Sequence, residues 1–99
     1  MEQSTNYKLI ESLQKHLTLT TVATCKIIPS GIPERHKLII NEDIMITQYC
    51  DSTQIIIQSA ITKFRTTIVN PKINAINLEE PDSLNQLTTL VNKLLTESQ

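Results

Sequence analysis

Glycine is almost absent from this chain of 99 residues, because Gly31 is the only one. Loops that cradle phosphate groups need several residues with unhindered backbone N–H groups, so neither G-x-G-x-x-G nor G-x-x-x-x-G-K-[ST] can be formed. The nucleophile elbow G-x-S-x-G is missing for the same reason. The shortage of glycine therefore excludes nucleotide-binding enzymes of these two types and α/β-hydrolases.

An excess of charge of one sign and long apolar runs are also lacking. Nine Lys and Arg residues nearly balance ten Asp and Glu residues, for a formal net charge of -1. The chain therefore has no long-range field that attracts a polyanion or an anionic membrane. Its first residues do not resemble a signal peptide, and no apolar run approaches the roughly 20 residues that a membrane span requires. We expect a cytoplasmic protein with no membrane partner.

Residues that can bind a metal are few. The chain has two cysteines, Cys25 and Cys50, and two histidines, His16 and His36. Zinc sites usually show C-x-x-C or H-x-x-x-H spacing, and no pair of these residues has it. In a reducing compartment the cysteines are expected to be free thiols. Two small buried thiols and two surface imidazoles are the preferred interpretation, so no metal and no cofactor are predicted.

The amino-terminal part of the chain is predicted to form a helix followed by a strand. Ile10, Leu13 and Leu17 recur at the spacing of one helix face. In LTLTTVATCKII the period changes to two, and β-branched residues are frequent as far as Ile27. A strand is therefore expected to begin at about Leu19.

Two short strands are expected next, after a connector that contains Pro29, Gly31 and Pro33. Gly31 can supply a positive φ where the chain reverses. The runs HKLII and IMITQY flank the tripeptide NED at positions 41–43, which has the polar composition of a hairpin turn. Together with the preceding strand, these two runs predict a three-strand meander.

Residues 52–69 permit two interpretations. The abundance of Thr, Ile and Val favours a strand, because β-branched side chains lose rotamer freedom in a helix. A strand here needs a bulge or bend near Thr62, where the apolar positions change parity. A helix is favoured by one apolar stripe, which consists of Ile57, Ala60, Ile61, Phe64 and Ile68. We favour the strand, and INAINL at 73–78 predicts another short one.

The carboxyl-terminal segment is predicted to be a helix with a capping box formed by Ser83 and Gln86. Its apolar stripe consists of Leu84, Leu87, Val91 and Leu94. The order of elements predicts an α+β fold, in which a small antiparallel sheet of three to five strands is flanked by an amino-terminal and a carboxyl-terminal helix. Residues 1–99 are interpreted as a single α+β domain. This order is similar to that of small dimeric secretion chaperones, an analogy of fold that assigns no site.

Glu34, Arg35 and His36 form the cluster that most resembles an active site. In an extended chain Glu34 and His36 share one side, with Arg35 on the other. A carboxylate can orient a histidine as a general base, which is the basis of a hypothesis of an enzyme centred on His36. A working site also needs a nucleophile or a metal and a cavity, and the sequence indicates none of these. A polar connector is the preferred interpretation, so no enzyme activity is predicted.

Large apolar side chains are the strongest remaining signal. The run Ile55, Ile56 and Ile57 supplies isoleucine to both faces of a strand, and a sheet with helices on one face leaves one set uncovered. The last helix offers a broad apolar stripe to a core or to a partner groove. The predicted partner-binding residues are Ile55, Ile57, Leu87, Val91 and Leu94. An ordinary monomeric core is the alternative explanation of the same residues.

The predicted function is that of a small intracellular protein-binding module that acts through this apolar sheet and helix surface as a homodimer. An adaptor, an assembly factor, a chaperone-like protein and a regulatory protein all fit this description. The alternative is a nucleic-acid-associated module that uses Lys63, Arg65 and Lys72, which lie in a stretch without acidic residues. Lys26 and Lys37 are expected near these basic residues on the sheet.

Overall fold

Helices stand at both ends of the chain and strands lie between them. A computed structural model describes residues 5–42, 44–50, 52–59 and 72–97. In these residues the elements are α1 (Thr5–Thr20), β1 (Cys25–Pro29), β2 (His36–Ile40), β3 (Ile44–Gln48), β4 (Gln54–Ser59), β5 (Lys72–Asn77) and α2 (Ser83–Glu97). The strands form one sheet in the order β1-β2-β3-β4-β5, and each neighbouring pair is antiparallel. The predicted α+β fold is confirmed.

Helix α1 is longer than the sequence predicts. It continues to Thr20, and Leu19 is 86% exposed, so the strand expected from Leu19 is wrong over its first residues. The hydroxyl groups of Thr20 and Thr21 donate to the carbonyls of His16 and Leu17, four residues earlier, at 2.8 and 2.6 Å. The Leu17 carbonyl also accepts the backbone N–H of Thr21 at 2.9 Å, so the hydroxyl groups add side-chain bonds to the last helical turn. The β-branched residues therefore end a helix here, and β1 begins only at Cys25.

The predicted hairpin between HKLII and IMITQY is confirmed. Ile40 pairs with Ile44 across a three-residue turn. Asn41 has φ 50°, and its backbone N–H and side-chain oxygen bond to Thr24 at 2.9 and 2.8 Å. Gly31 has φ 92°, as expected for the reversal between β1 and β2. These turns bring three consecutive strands together side by side.

The ambiguous stretch begins as a strand. Residues 54–59 form β4, which confirms the favoured interpretation for this part, and 72–77 form the additional short strand. Residues 60–71 lie outside the described part of the chain, and with them the bulge predicted near Thr62. β4 pairs with β3 on one side and with β5 on the other.

Helix α2 confirms the prediction for the carboxyl-terminal segment, but its cap differs. The N–H of Gln86 donates to the carbonyl of Asp82 at 3.0 Å, which makes Asp82 the N-cap. The Ser83 hydroxyl donates to the carbonyl of Leu78 at 3.3 Å instead of capping the helix. The predicted capping box of Ser83 and Gln86 is therefore not formed. Neither α1 nor α2, the helices of the described residues, has the length and apolar content needed to cross a membrane.

Both helices lie on one face of the sheet. Helix α1 contacts β1, β2 and β3, whereas α2 contacts β5 and α1. Alternate strand residues point at the helices and form one cluster with them. Its members are Ile10, Leu13, Leu17, Leu38, Ile40, Ile44, Ile46, Ile55, Ile57, Ile76, Leu87, Val91 and Leu94, and each is at most 7% exposed. The other set of strand residues points away from this core.

Candidate functional site

The sheet face opposite the helices combines apolar and positively charged side chains. We call it the open face, because no helix or strand of the described residues covers it. Its side chains follow from the strand registers, since residues two apart share a face. The open face consists of Lys26, Ile28, Lys37, Ile39, Met45, Thr47, Gln54, Ile56, Gln58, Ile73, Ala75 and Asn77.

Cross-strand pairing arranges this face in two rows. One row crosses all the strands and reads Lys26, Ile39, Met45, Gln58 and Ile73. With neighbouring strands about 4.8 Å apart, its ends are about 19 Å apart. The second row has Ile28 opposite Lys37 in β1 and β2, and Thr47, Ile56 and Ala75 in β3, β4 and β5. The apolar side chains therefore form a contiguous surface instead of scattered positions.

These apolar side chains meet water. Ile73 is 62% exposed, and Ile28, Ile39, Met45 and Ile56 are half-buried by their neighbours on the sheet. An antiparallel sheet with one solvated face usually carries polar residues on that face. A contiguous exposed apolar surface is typical of an interaction site.

The ionisable side chains that the described strands place on the open face are all positively charged. Lys26 in β1 and Lys37 in β2 are its ionisable residues, and no Asp or Glu of the described strands shares the face. Glu42 lies in the turn at one end, where it lines a depression of about 320 Å³ together with Thr24, Lys26, Ile39 and Asn41. The apolar surface is thus bordered by positive charge on its β1 and β2 side.

A larger cleft borders the opposite end of the open face. Its volume is about 560 Å³, and it reaches from the β1–β2 connector to the end of β3. Lys37, Met45 and Thr47 belong both to this cleft and to the open face. The remaining lining residues are Asn6, Ser30, Ile32, Arg35, His36, Gln48 and Cys50.

The structure gives Arg35 a structural role in this region. One guanidinium nitrogen of Arg35 donates to the carbonyls of Gln48 and Cys50, at 3.2 and 2.5 Å. These bonds tie the β1–β2 connector to the end of β3. Glu34 is exposed and has φ 65°, so the chain is not extended at this residue. The expectation that Glu34 and His36 share one side required an extended chain.

His36 is held against α1. Its ring meets the ring of Tyr7 edge to face, with centroids 4.9 Å apart. Its backbone N–H donates to the Asn6 side-chain oxygen at 2.6 Å, and the Asn6 amide donates to the side chain of Gln48 at 2.8 Å. The His36 Nδ1 atom is buried and has no hydrogen-bond partner among the described atoms. These contacts join α1 to β2 and β3.

The other candidate metal ligands lie apart from His36. The Nε2 atom of His16 is 3.2 Å from the carbonyl oxygen of Leu84 and 2.8 Å from the hydroxyl of Thr88, so His16 joins α1 to α2. Cys50 is an exposed free thiol. Burial raises the pKa of the Cys25 thiol, and a hydrogen bond with Thr18 partly opposes that shift. Within the described ranges, no three His, Cys, Asp or Glu residues are grouped as a metal site would require.

The predicted partner-binding residues all lie in the core. Ile55, Ile57, Leu87 and Val91 are 0% exposed and Leu94 is 4% exposed, between the sheet and the helices. Contact of a partner with these five side chains stays a prediction, and it would require the helices to move. The uncovered isoleucine of the run 55–57 is the middle one, Ile56.

The basic residues of the nucleic-acid hypothesis are not grouped on the described sheet. Lys63 and Arg65 lie outside the described residues, and Lys72 begins β5. Lys26 and Lys37 lie in β1 and β2, and β3 and β4 separate them from β5. The expected proximity of these lysines to Lys72 is therefore wrong, because three strand spacings of about 4.8 Å lie between β2 and β5.

Sequence reasoning did not identify most of the open face. Ile28, Ile39, Met45 and Ile73 were not among the predicted site residues, although each alternates with a core residue of its own strand. That alternation identifies two faces and does not show which of them the helices cover. No protein-family model, no curated protein and no solved structure matches this chain, so the open face has to be interpreted from its own chemistry.

Proposed function

We propose that this chain is a cytoplasmic protein-binding module and that the open face is its contact surface. The observation that supports the proposal is the contiguous apolar surface of Ile28, Ile39, Met45, Ile56 and Ile73 on the side away from the helices. Removing such side chains from water is favourable by about 25 cal/mol for each Å² of apolar surface buried. A partner that covers the open face gains this free energy without disturbing the core.

The size of the surface suits a small partner element. Five strands about 4.8 Å apart, with about five residues each at 3.4 Å, span roughly 400 Å² in projection. A standard stable interface buries about 800 Å² on each partner. The open face alone is therefore suited to a small partner element, as in an adaptor or an assembly factor.

Site-specific photo-cross-linking in extracts of the native cell tests this proposal. A photoreactive residue in place of Met45, at the centre of the open face, should cross-link a partner protein that mass spectrometry then identifies. The matched control carries the same residue in place of Lys8, which is exposed on α1. A partner captured equally from both positions, or from neither, contradicts the proposal.

A further inference from the structure

We infer that the partner element is an amphipathic α-helix with acidic residues beside its apolar stripe, and that it is not a second copy of this chain. This inference rests on the proposed function, because it names the partner of the same open face. It follows from three features of that face: the position of its lysines, the absence of acids on its described strands and its length.

The lysines decide which charge a partner must bring. Lys26 is on the edge strand β1 and can extend into solvent, but Lys37 is on β2 and lies within the area that a partner covers. Covering an ammonium group without a counter-charge is unfavourable, whereas a paired carboxylate offsets the loss of water. A partner with acidic residues on the β1 and β2 side is therefore favoured.

The clefts at the two ends of the face favour a carboxylate near Lys37 in particular. Lys37 borders the cleft of about 560 Å³, and no described acid lines that cleft. The depression beside Lys26 also contains Glu42, which repels an incoming carboxylate. We therefore expect the acidic side chains of the partner to lie at the Arg35 end of β2.

A second copy does not meet this requirement. A two-fold axis parallel to β3 places Lys37 over β4 of the copy, whose open-face side chains are Gln54, Ile56 and Gln58. An axis across the strands places β1 and β2 over the same strands of the copy. The first arrangement buries an unpaired charge and the second brings like charges together. In both arrangements the strands of the copy supply no carboxylate, because the described strands have no acid on this face.

A helix fits the shape of the open face. A helix satisfies its own backbone hydrogen bonds and can pack on a sheet through side chains alone, whereas an added strand needs a sheet edge. The row from Lys26 to Ile73, about 19 Å long, matches about 13 helical residues at 1.5 Å each. The reverse face of the same sheet already packs Ile side chains against α1 and α2. Met45 lies at the centre of the row, where its flexible side chain can adapt to a partner.

Three synthetic helical peptides of about 16 residues provide the test. They share one leucine stripe and differ only in the residues beside it, which are Glu, Gln or Lys. Fluorescence anisotropy with the full chain should show that the Glu peptide binds at least about tenfold more tightly than the Lys peptide, and added salt should reduce the difference. Equal affinities, or no binding of any peptide at millimolar concentration, would overturn the inference.

Two pairs of charge reversals locate the effect. Lys26→Glu combined with Lys37→Glu should reverse the preference, so that the Lys peptide binds more tightly. The control, Lys8→Glu combined with Lys93→Glu, makes the same change in net charge on the helices and should leave the preference as in the wild type. If both double variants behave alike, the inference fails.

The failure of this inference is distinguishable from failure of the proposed function. Met45→Asp should abolish binding of all three peptides, because it places a charge at the centre of the open face. If Met45→Asp abolishes binding but the wild type binds the Glu and Lys peptides equally, the inference of an acidic partner is wrong. The proposal that the open face binds a protein is then still supported. Cross-linking from position 45 that captures no protein overturns the proposed function itself.

Discussion

Positive backbone φ angles mark the residues at which the local chain is under strain. Asn41, Glu42 and Cys50 have φ of 50, 66 and 51°. Asparagine adopts this region readily because its short polar side chain can bond locally, and Asn41 does so with Thr24. Glutamate has no such local bond, so the left-handed conformation is unfavourable for Glu42. Glycine adopts the same conformation freely because it has no Cβ.

We expect Glu42→Gly to raise the free energy of unfolding by about 0.5 to 1 kcal/mol, because it relieves the left-handed backbone strain. Gly31→Ala should have the opposite effect, about 1 kcal/mol of destabilisation, since its φ of 92° is strained for alanine although the added Cβ meets no atom within 4 Å. Urea denaturation measures both changes. Glu42→Gln removes the charge but keeps the Cβ, so it should leave the free energy of unfolding unchanged. An increase equal to that from Glu42→Gly would contradict the explanation by backbone strain.

At the scale of the element, two local signals compete where α1 ends. The β-branched residues after Leu17 favour a strand, but the stripe of Ile10, Leu13 and Leu17 carries the helix onward to Thr20. The threonine hydroxyls then bond to helix carbonyls, which removes the advantage of the extended conformation. In β2 no such competition exists, and the predicted strand agrees with the structure.

The two faces of β2 should respond differently to the same truncation. Ile40 is 0% exposed in the core, so Ile40→Ala should lower the free energy of unfolding by about 2 to 5 kcal/mol. Ile39 is on the open face, and Ile39→Ala should cost about 1 kcal/mol or less, since a partly solvated site leaves no cavity. Chemical denaturation of the two variants compares them directly within one strand. Equal losses would contradict the assignment of the faces.

At the scale of the whole molecule, the described residues form a sheet that helices cover on one side. The single core buries the Ile side chains of one parity, while those of the other parity line the open face. A homodimer was expected from the sequence because a second copy can cover such a surface. The lysines of the open face disfavour contact between two copies there, so any self-association is expected to use another surface.

Light scattering over a dilution series, with wild type and Met45→Asp, tests this expectation. The molar mass of the variant should equal that of the wild type at each concentration, because Met45 is not at a contact between copies. A wild-type dimer that Met45→Asp converts to a monomer would show that a second copy covers the open face. That result would overturn the inference of an acidic helical partner.

The sequence by itself determined the periodicity of each element. Helical spacing specified α2 and most of α1, and alternation specified β2, β3 and the start of β4, because these patterns depend on neighbours along the chain. The polar turn at 41–43 and the single glycine determined where the chain reverses. Part of the candidate site was contained in this information, since the run of three isoleucines had to place side chains on both faces.

Only the tertiary structure decided which face the helices cover. Ile55 and Ile57 became core and Ile56 became surface, although the three residues are identical in kind. The contacts of His36 with Asn6 and Tyr7 join positions about 30 residues apart, which no local pattern indicates. The physical reason is that burial is a long-range property: alternation divides a strand into two faces, and only packing against distant helices makes one of them the core.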